Sequence, residues 1–299
     1  LIAVLLIADL VLVHREAHVI SFKEAAIESA VWISIGVAFT GVVYAWHGGQ
    51  PAGEYISAFL LEKSLSIDNV FVWAVIFSYF AVPAKYQFRT LFWGIFGALV
   101  LRAIFIFAGI ALIERFEAVL VIFGLVLLYS AWKIAFHDDE EVHPDKNPVL
   151  RLVRRFIPST TEYDGQKLFT IENGKRLATP LFAVLIIVES TDVVFAVDSV
   201  PAVLAVSHEQ FIVFSSNAFA ILGLRSLYFL LGGMQDKFRY LNLGLGAILA
   251  FVGGKMLVSF FLHVHPPTWL SLVVIVAVLA ITISSSLYAD RRDDARAVG

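Results

Sequence analysis

The stretch from Leu61 to Tyr79 reads LEKSLSIDNVFVWAVIFSY, and it decides the fold class because charged residues lie inside a long apolar segment. A second stretch, from Val188 to Val206, reads VESTDVVFAVDSVPAVLAV and shows the same pattern. A helix that crosses a bilayer needs about 20 mostly apolar residues, and both stretches lie in segments of that length. The chain is 59% hydrophobic and 16% charged, whereas soluble domains are roughly 45–50% apolar and 25% charged. We therefore predict an all-α polytopic membrane protein.

About nine segments are long and apolar enough, or nearly so, to cross a membrane. They are residues 1–13, 26–46, 55–81, 88–113, 117–136, 179–206, 210–232, 238–262 and 268–289. The first is short, but Asp9 and the lack of a small-residue cleavage site argue against a signal peptide. The connections on one side of this arrangement hold nearly all the basic residues outside the segments, and the other side holds Arg115 alone. The positive-inside rule then predicts an external N-terminus and a cytoplasmic C-terminus.

Two units of three helices resemble each other, which predicts an internal repeat. The matching residues keep a nearly constant spacing, and they are Asp68 with Asp192, Arg102 with Arg225, and Lys133 with Lys255. Because each unit has an odd number of helices, the second enters from the opposite side, as in the inverted repeats of secondary transporters. The predicted organisation is two N-terminal helices (1–50), the first unit (51–136), a cytoplasmic loop (137–178), the inverted second unit (179–262) and a C-terminal helix with a basic tail (263–299).

Acidic residues concentrate in the first helix of each unit. They are Glu62, Asp68, Glu189, Asp192 and Asp198. A charged side chain at the bilayer centre costs roughly 2.5–3.5 kcal/mol on insertion scales, so such residues are functional candidates. The alternative is internal pairing with Lys63, Arg102 or Arg225, and we expect the two arginines to act as structural counter-charges.

The spacing of these acids predicts that their helices are locally unwound. Glu62 and Asp68 are six residues apart, which places them about 120° apart around a regular helix. Nearby hydroxyl residues and Pro201, which removes a helical hydrogen bond, favour a local break. Such a break would let the carboxylates converge on one cation.

The available ligands predict a site for a hard cation. Carboxylate, amide, hydroxyl and carbonyl oxygens suit Mn²⁺, Ca²⁺ and Mg²⁺. The sequence has no cysteine, and its histidines lie in predicted loops or at span ends. Asn69 joins the acids as a candidate ligand, and weaker neutral candidates are Ser66, Ser190 and Asn217. Protons, a metal cation and the lipid bilayer are the expected partners.

Other classes of function lack support in the sequence. A net charge of −3 gives no reason to expect a nucleic-acid partner. There is no nucleotide-binding motif, so we expect no organic cofactor. No Gly-x-Gly-Asp sequence accompanies the aspartates, and we do not expect an enzyme.

The loop at 137–178 contains three different patterns. Its start, from His137 to His143, is acidic and is typical of a solvated loop. The segment Pro148–Pro158 is basic and amphipathic, which predicts a helix at the membrane surface. Within Leu168–Lys175, the Asn173-Gly174 pair predicts the turn of a β-hairpin.

The two acidic stretches, together with Ser216 to Leu230 (SNAFAILGLRSLYFL), resemble the TerC/Alx family of bacterial integral membrane proteins. The resemblance implies a manganese exporter of the inner membrane, related to the LysE-type transporter superfamily. It also implies that the five acids form the ion path. Two alternatives remain open, namely a Ca²⁺/H⁺ antiporter with the same ligands, and a membrane scaffold or assembly factor that transports nothing.

Overall fold

A computed structural model describes residues 20–136, 148–172, 174–231, 240–263 and 267–298, with only the backbone at 153, 154, 268 and 291–298. Helices dominate this part of the chain. They are α1 (Phe22–His47), α2 (Gly49–Tyr79), α3 (Ala84–Arg115), α4 (Val119–Phe136), α5 (Pro148–Phe156), α6 (Pro180–Leu204), α7 (Gln210–Leu222), α8 (Leu224–Leu231), α9 (Leu241–Leu262) and α10 (Thr268–Val298). The strands β1 (Phe169–Glu172) and β2 (Lys175–Ala178) form one antiparallel hairpin.

The helices confirm an all-α polytopic membrane protein. Six of the described helices are long and apolar enough to cross a bilayer, and the bent pair α7–α8 makes a seventh if it counts as one span. Helix α2 is not among them, because Glu62, Lys63 and Asp68 lie within its apolar length. The predicted segment 1–13, with Asp9, lies outside the described residues. The count of about nine spans therefore stays a prediction.

The prediction that the acidic helices are unwound is wrong. Both α2 and α6 are continuous helices, and α6 runs through Pro201. The hydroxyl groups turn back onto their own helix, since Ser64 Oγ donates to the Leu61 carbonyl at 2.7 Å and Thr191 Oγ1 donates to the Val188 carbonyl at 2.8 Å. Such bonds are compatible with an intact helix. The break lies instead between α7 and α8, at Gly223, where the helix axis bends by 40°.

Close helix packing brings the two predicted units together. Helix α2 packs on α7, α3 packs on α6, and α4 packs on α9. The α4–α9 contact brings backbones together, since a Cβ at Gly253 would meet the Gly124 carbonyl at 2.9 Å. In each unit, the first helix thus contacts the second helix of the other unit. The repeat and the domain boundaries drawn from it stay predictions.

The long connection before α6 is folded against the helix ends. Its hairpin confirms the predicted turn, with Glu172 paired to Lys175 and Gly174 at φ 77°; Asn173 lies outside the described residues. The basic segment forms α5, with Leu150 buried. The Tyr163 hydroxyl donates to the Phe80 carbonyl at 2.7 Å, which ties the connection to the end of α2. The predicted acidic stretch at 137–143 lies outside the described residues.

Candidate cation site

Three charged side chains from three helices meet inside the bundle. Glu62 on α2 and Asp192 on α6 both contact the guanidinium of Arg102 on α3. The Nη2 atom of Arg102 lies 3.2 Å from Asp192 Oδ1, and its Nη1 atom contacts Glu62 Oε1. The exposed fraction of the residue is 0% for Glu62, 1% for Arg102 and 2% for Asp192. All three lie near the middle of their helices, so the group lies deep inside the bundle.

Neutral side chains complete the surroundings of Glu62. Asn217 on α7 donates its Nδ2 hydrogen to Glu62 Oε2 at 2.9 Å, and Ser66 Oγ donates to Oε1 at 3.4 Å. Asn217 and Ser66 were predicted as weak cation ligands, whereas here they donate to a carboxylate. Both Glu62 oxygens therefore have partners, as a buried charged group requires.

Glu189 lies one helical turn before Asp192 and faces the same helix, α3. Its carboxylate rests against Gly97, where an added Cβ would overlap it. Among the described residues, no donor lies within hydrogen-bond distance of its buried Oε2 atom. A charged oxygen buried without a donor is unfavourable, so a proton or a cation at this position would stabilise it.

Asp198 faces a different neighbour. Its Oδ1 atom accepts a hydrogen bond of 2.5 Å from Ser130 Oγ on α4, and Lys133 on α4 attracts its charge. Ser130 carried no signal in the sequence, because a single serine in an apolar helix is common. Asp198 thus belongs to the α4–α6 contact and not to the group around Arg102.

The other two predicted ligands lie farther along α2. Asn69 is buried and Asp68 is half-buried. Because α2 is continuous, Asp68 remains about 120° around the helix from Glu62. Among the predicted ligands, the structure joins Glu62 to Asp192 through Arg102 as a shared partner. In the described part of the chain, no three His, Asp or Glu side chains lie together in a group able to hold a metal ion.

Three cationic residues, Arg102, Arg225 and Lys63, have roles that the sequence did not fully reveal. Arg102 is confirmed as a counter-charge, whereas the Arg225 guanidinium stacks over the Phe88 ring at 4.0 Å. Lys63 was a candidate partner for the acids, but its Nζ donates to the Ala220 carbonyl at 3.1 Å. That carbonyl lies in the last turn of α7, where helical carbonyls lack intrahelical donors. Lys63 therefore caps the break at Gly223.

Apolar helices around a buried group of two acids and one arginine define a multi-pass membrane protein with a charged centre. Charged residues inside a membrane are retained mainly where they serve ion or substrate pathways. The chain belongs to the TerC family of integral membrane proteins, whose sequence profile matches residues 47–294. The resemblance seen in the acidic stretches is thereby confirmed.

Relatives cover nearly the whole chain. It is 48% identical over 287 residues to the "Uncharacterized membrane protein STKORF319" of Myxococcus xanthus, covering 96% of this chain and 89% of that protein. It is 43% identical over 304 residues to the "Putative membrane-bound redox modulator Alx" of Escherichia coli (strain K12), covering 98% of this chain and 94% of that protein. No solved structure matches the chain.

Proposed function

We propose that this protein exports Mn²⁺ from the cytoplasm in exchange for protons. The observation that carries the proposal is the buried group in which Arg102 joins Glu62 to Asp192. Two carboxylates from different helices are oxygen donors of the kind that Mn²⁺ binds. Their position near the middle of three packed helices matches the place where secondary transporters hold their substrate.

Arg102 supplies one of the two positive charges that a bound divalent cation would bring. In this conformation its guanidinium contacts both Glu62 and Asp192, and its single positive charge balances one of their two negative charges. We propose that a divalent cation and Arg102 compete for the two carboxylates, so that arrival of the ion releases the arginine. Such competition prevents a state in which both carboxylates are charged, buried and unpaired, a state that is strongly unfavourable.

The other acids complete the path in this proposal. Glu189 carries a proton when the cation is absent, in keeping with its buried Oε2 atom. Asp198, held by Ser130, and Asp68 serve as ligands on either side of the central group. The same carboxylates carry protons in one direction and cations in the other.

The name of the Escherichia coli relative suggests a redox role, but the side chains of this chain argue for ion transport. The sequence contains no cysteine, so its own residues offer no thiol–disulfide chemistry. We therefore propose a carrier and not an enzyme. We also propose that it lies in the bacterial inner membrane, with the N-terminus outside and the C-terminus in the cytoplasm, because basic residues concentrate on one side of the predicted spans.

The test is ion flux in proteoliposomes that contain the purified full chain. Uptake of Mn²⁺ and of Ca²⁺ is followed together with the luminal pH. The test variants are Asp192→Asn and Asp198→Asn. Asp164→Asn is the matched control, since it makes the same chemical change at an exposed carboxylate in the long connection.

Manganese flux with opposed proton movement supports the proposal, provided that both test variants lose it and the control keeps it. Calcium flux alone would favour a Ca²⁺/H⁺ antiporter. If neither ion moves although the protein is folded, the transport proposal is wrong and the scaffold alternative gains support. Flux that survives both test variants would show that these acids are not the ion path.

A further inference from the structure

The contact between Gly97 and Glu189 suggests a role for a glycine. Gly97 lies on α3 and Glu189 on α6, at a point where the two helices pack closely. An alanine Cβ at position 97 would occupy the space now taken by the Glu189 carboxylate. The absence of a side chain at position 97 therefore creates a slot on α3 that fits a carboxylate. We call this space the Gly97 slot.

Neighbouring contacts show where the slot lies relative to the central group. One turn earlier along α3, Gly94 faces Val188, whose Cγ1 atom would lie 2.9 Å from an added Cβ. Farther along α3, Arg102 pairs with Asp192. The slot therefore lies between an apolar contact and a buried ion pair, along one helix–helix interface.

The carboxyl group that lies in the Gly97 slot belongs to Glu189, which is not part of the Arg102–Asp192 ion pair. Among the described residues, Glu189 Oε2 is buried and has no hydrogen-bond donor, whereas Asp192 has the guanidinium of Arg102. Residues three apart share one helix face, so a change of side-chain rotamer is enough to move Glu189 towards Asp192. The backbone of α6 can stay in place during this movement.

We propose that Gly97 is a positioning residue, and that its slot holds the Glu189 carboxylate away from Asp192 until a cation arrives. Glu189 then leaves the slot and joins Asp192 as a ligand, and it returns when the cation is released. This inference rests on the proposed function. It adds that one glycine controls whether Glu189 belongs to the ion site.

The test variant is Gly97→Ala, which fills the slot. Gly94→Ala is the matched control, because it adds the same methyl group to the same helix, one turn away and against Val188. With the slot filled, Glu189 stays beside Asp192, so cations bind more tightly and leave more slowly. Both the KM for Mn²⁺ and the maximal rate should fall by about tenfold in Gly97→Ala, the order expected for an overpacked contact. A merely structural defect would lower the rate without lowering the KM.

The double variant Gly97→Ala, Glu189→Asp provides the rescue. Aspartate is shorter by one methylene, so its carboxyl group does not reach the filled slot. The KM and the rate should both move back towards the values of Glu189→Asp alone. A Gly97→Ala variant with unchanged KM and rate, or a Gly94→Ala variant with the same changes, would overturn the proposal.

A second readout does not depend on transport. A hydrophobic carbodiimide reacts with protonated carboxyl groups in membranes, and mass spectrometry locates the modified residue. Glu189 should be labelled in the unaltered protein and in Gly94→Ala, but about tenfold more slowly in Gly97→Ala, where it lies beside Arg102. If this pattern appears although no ion is transported, the slot stands and the proposed function falls. Equal labelling in all three proteins, or none at Glu189, would overturn the slot.

Discussion

Arg102 on α3 and Asp192 on α6 form a two-point ion pair inside the bundle. The Nη2–Oδ1 distance is 3.2 Å and the Nε–Oδ2 distance is 3.5 Å. The same guanidinium also contacts Glu62 on α2. One arginine thus connects three helices, and the planar fork of a guanidinium is suited to such bidentate contacts. The arrangement makes Arg102 important for stability as well as for the proposed exchange of charge.

Replacing Arg102 by methionine should destabilise the protein strongly. The variant Arg102→Met leaves Glu62 and Asp192 buried without their counter-charge, and breaking a buried pair in this way costs about 3–5 kcal/mol. Thermal unfolding in detergent measures the effect. Arg89→Met is the control, because Arg89 lies on the same helix but is exposed, with Nη1 3.4 Å from Gln166 Oε1. Equal stability of the two variants would contradict the role of Arg102.

Lys63 should stabilise the break between α7 and α8. Its ammonium donates to the Ala220 carbonyl at the end of α7, where a positive charge also favours the helix dipole. Lys63→Met keeps the apolar stem and removes the donor, and it should cost about 1–2 kcal/mol. Hydrogen exchange should accelerate around residues 219–226 and remain unchanged in α4 and α9. Unchanged protection at the break would show that Lys63 does not cap it.

The apolar pattern was sufficient to find the helices, because burial in lipid requires long apolar segments. The segment 26–46 lies within α1, and 88–113 lies within α3. The break at Gly223 was not predictable, since an isolated glycine in an apolar run is equally compatible with close helix packing. The unwinding of α2 and α6 was predicted wrongly, because serine and threonine hydroxyls can bond to their own helix.

The candidate site was only partly predictable from the sequence. Acids and arginines inside apolar segments identify the charged centre from the sequence alone. Their pairing depends on helix rotation and depth, which the sequence does not give. Arg102 pairs with Asp192 and Glu62, whereas Asp198 accepts a hydrogen bond from Ser130. The sequence also does not reveal that a carboxylate rests against Gly97, which the structure shows.

The long connection should loosen in acid through Asp164. Its carboxylate accepts hydrogen bonds from Lys167 Nζ at 2.9 Å and Thr170 Oγ1 at 2.8 Å, and these bonds hold the pKa of Asp164 below its usual value. A lowered pKa stabilises the folded connection above about pH 4, the ordinary range of aspartate, and this stabilisation is lost as the pH falls through the lowered pKa. Burial raises the pKa of Tyr163, so its hydroxyl stays a donor to Phe80.

Hydrogen exchange across residues 160–178, corrected for intrinsic rates, should therefore accelerate as the pH falls below about 4. Asp164→Asn should remove this pH dependence, because an amide does not titrate. Glu162→Gln is the control, since Glu162 is a nearby exposed residue whose backbone N–H, and not its carboxylate, donates to Thr160 Oγ1. If Asp164→Asn keeps the full acid response, another group is responsible.

The predicted repeat makes a specific prediction about Asp68 and Arg225. Arg102 and Asp192 pair between the second helix of the first unit and the first helix of the second unit. The equivalent residues of the repeat are Arg225 on α8 and Asp68 on α2, and these helices also pack together. We therefore expect Arg225, which is buried over the Phe88 ring, to interact with Asp68 as Arg102 does with Asp192.

A double-mutant cycle with Asp68→Asn and Arg225→Gln tests this pairing through thermal unfolding in detergent. Each single variant should be destabilised, and the double variant should be destabilised by less than the sum, with a coupling energy of about 0.5–3 kcal/mol. Asp198→Asn combined with Arg225→Gln is the control, and its effects should add, because Asp198 bonds to Ser130 on α4. Additive effects for Asp68 and Arg225 would instead mean that the two units differ in how their arginines are used. The inverted repeat would then hold for the sequence but not for the pairing of its charged residues.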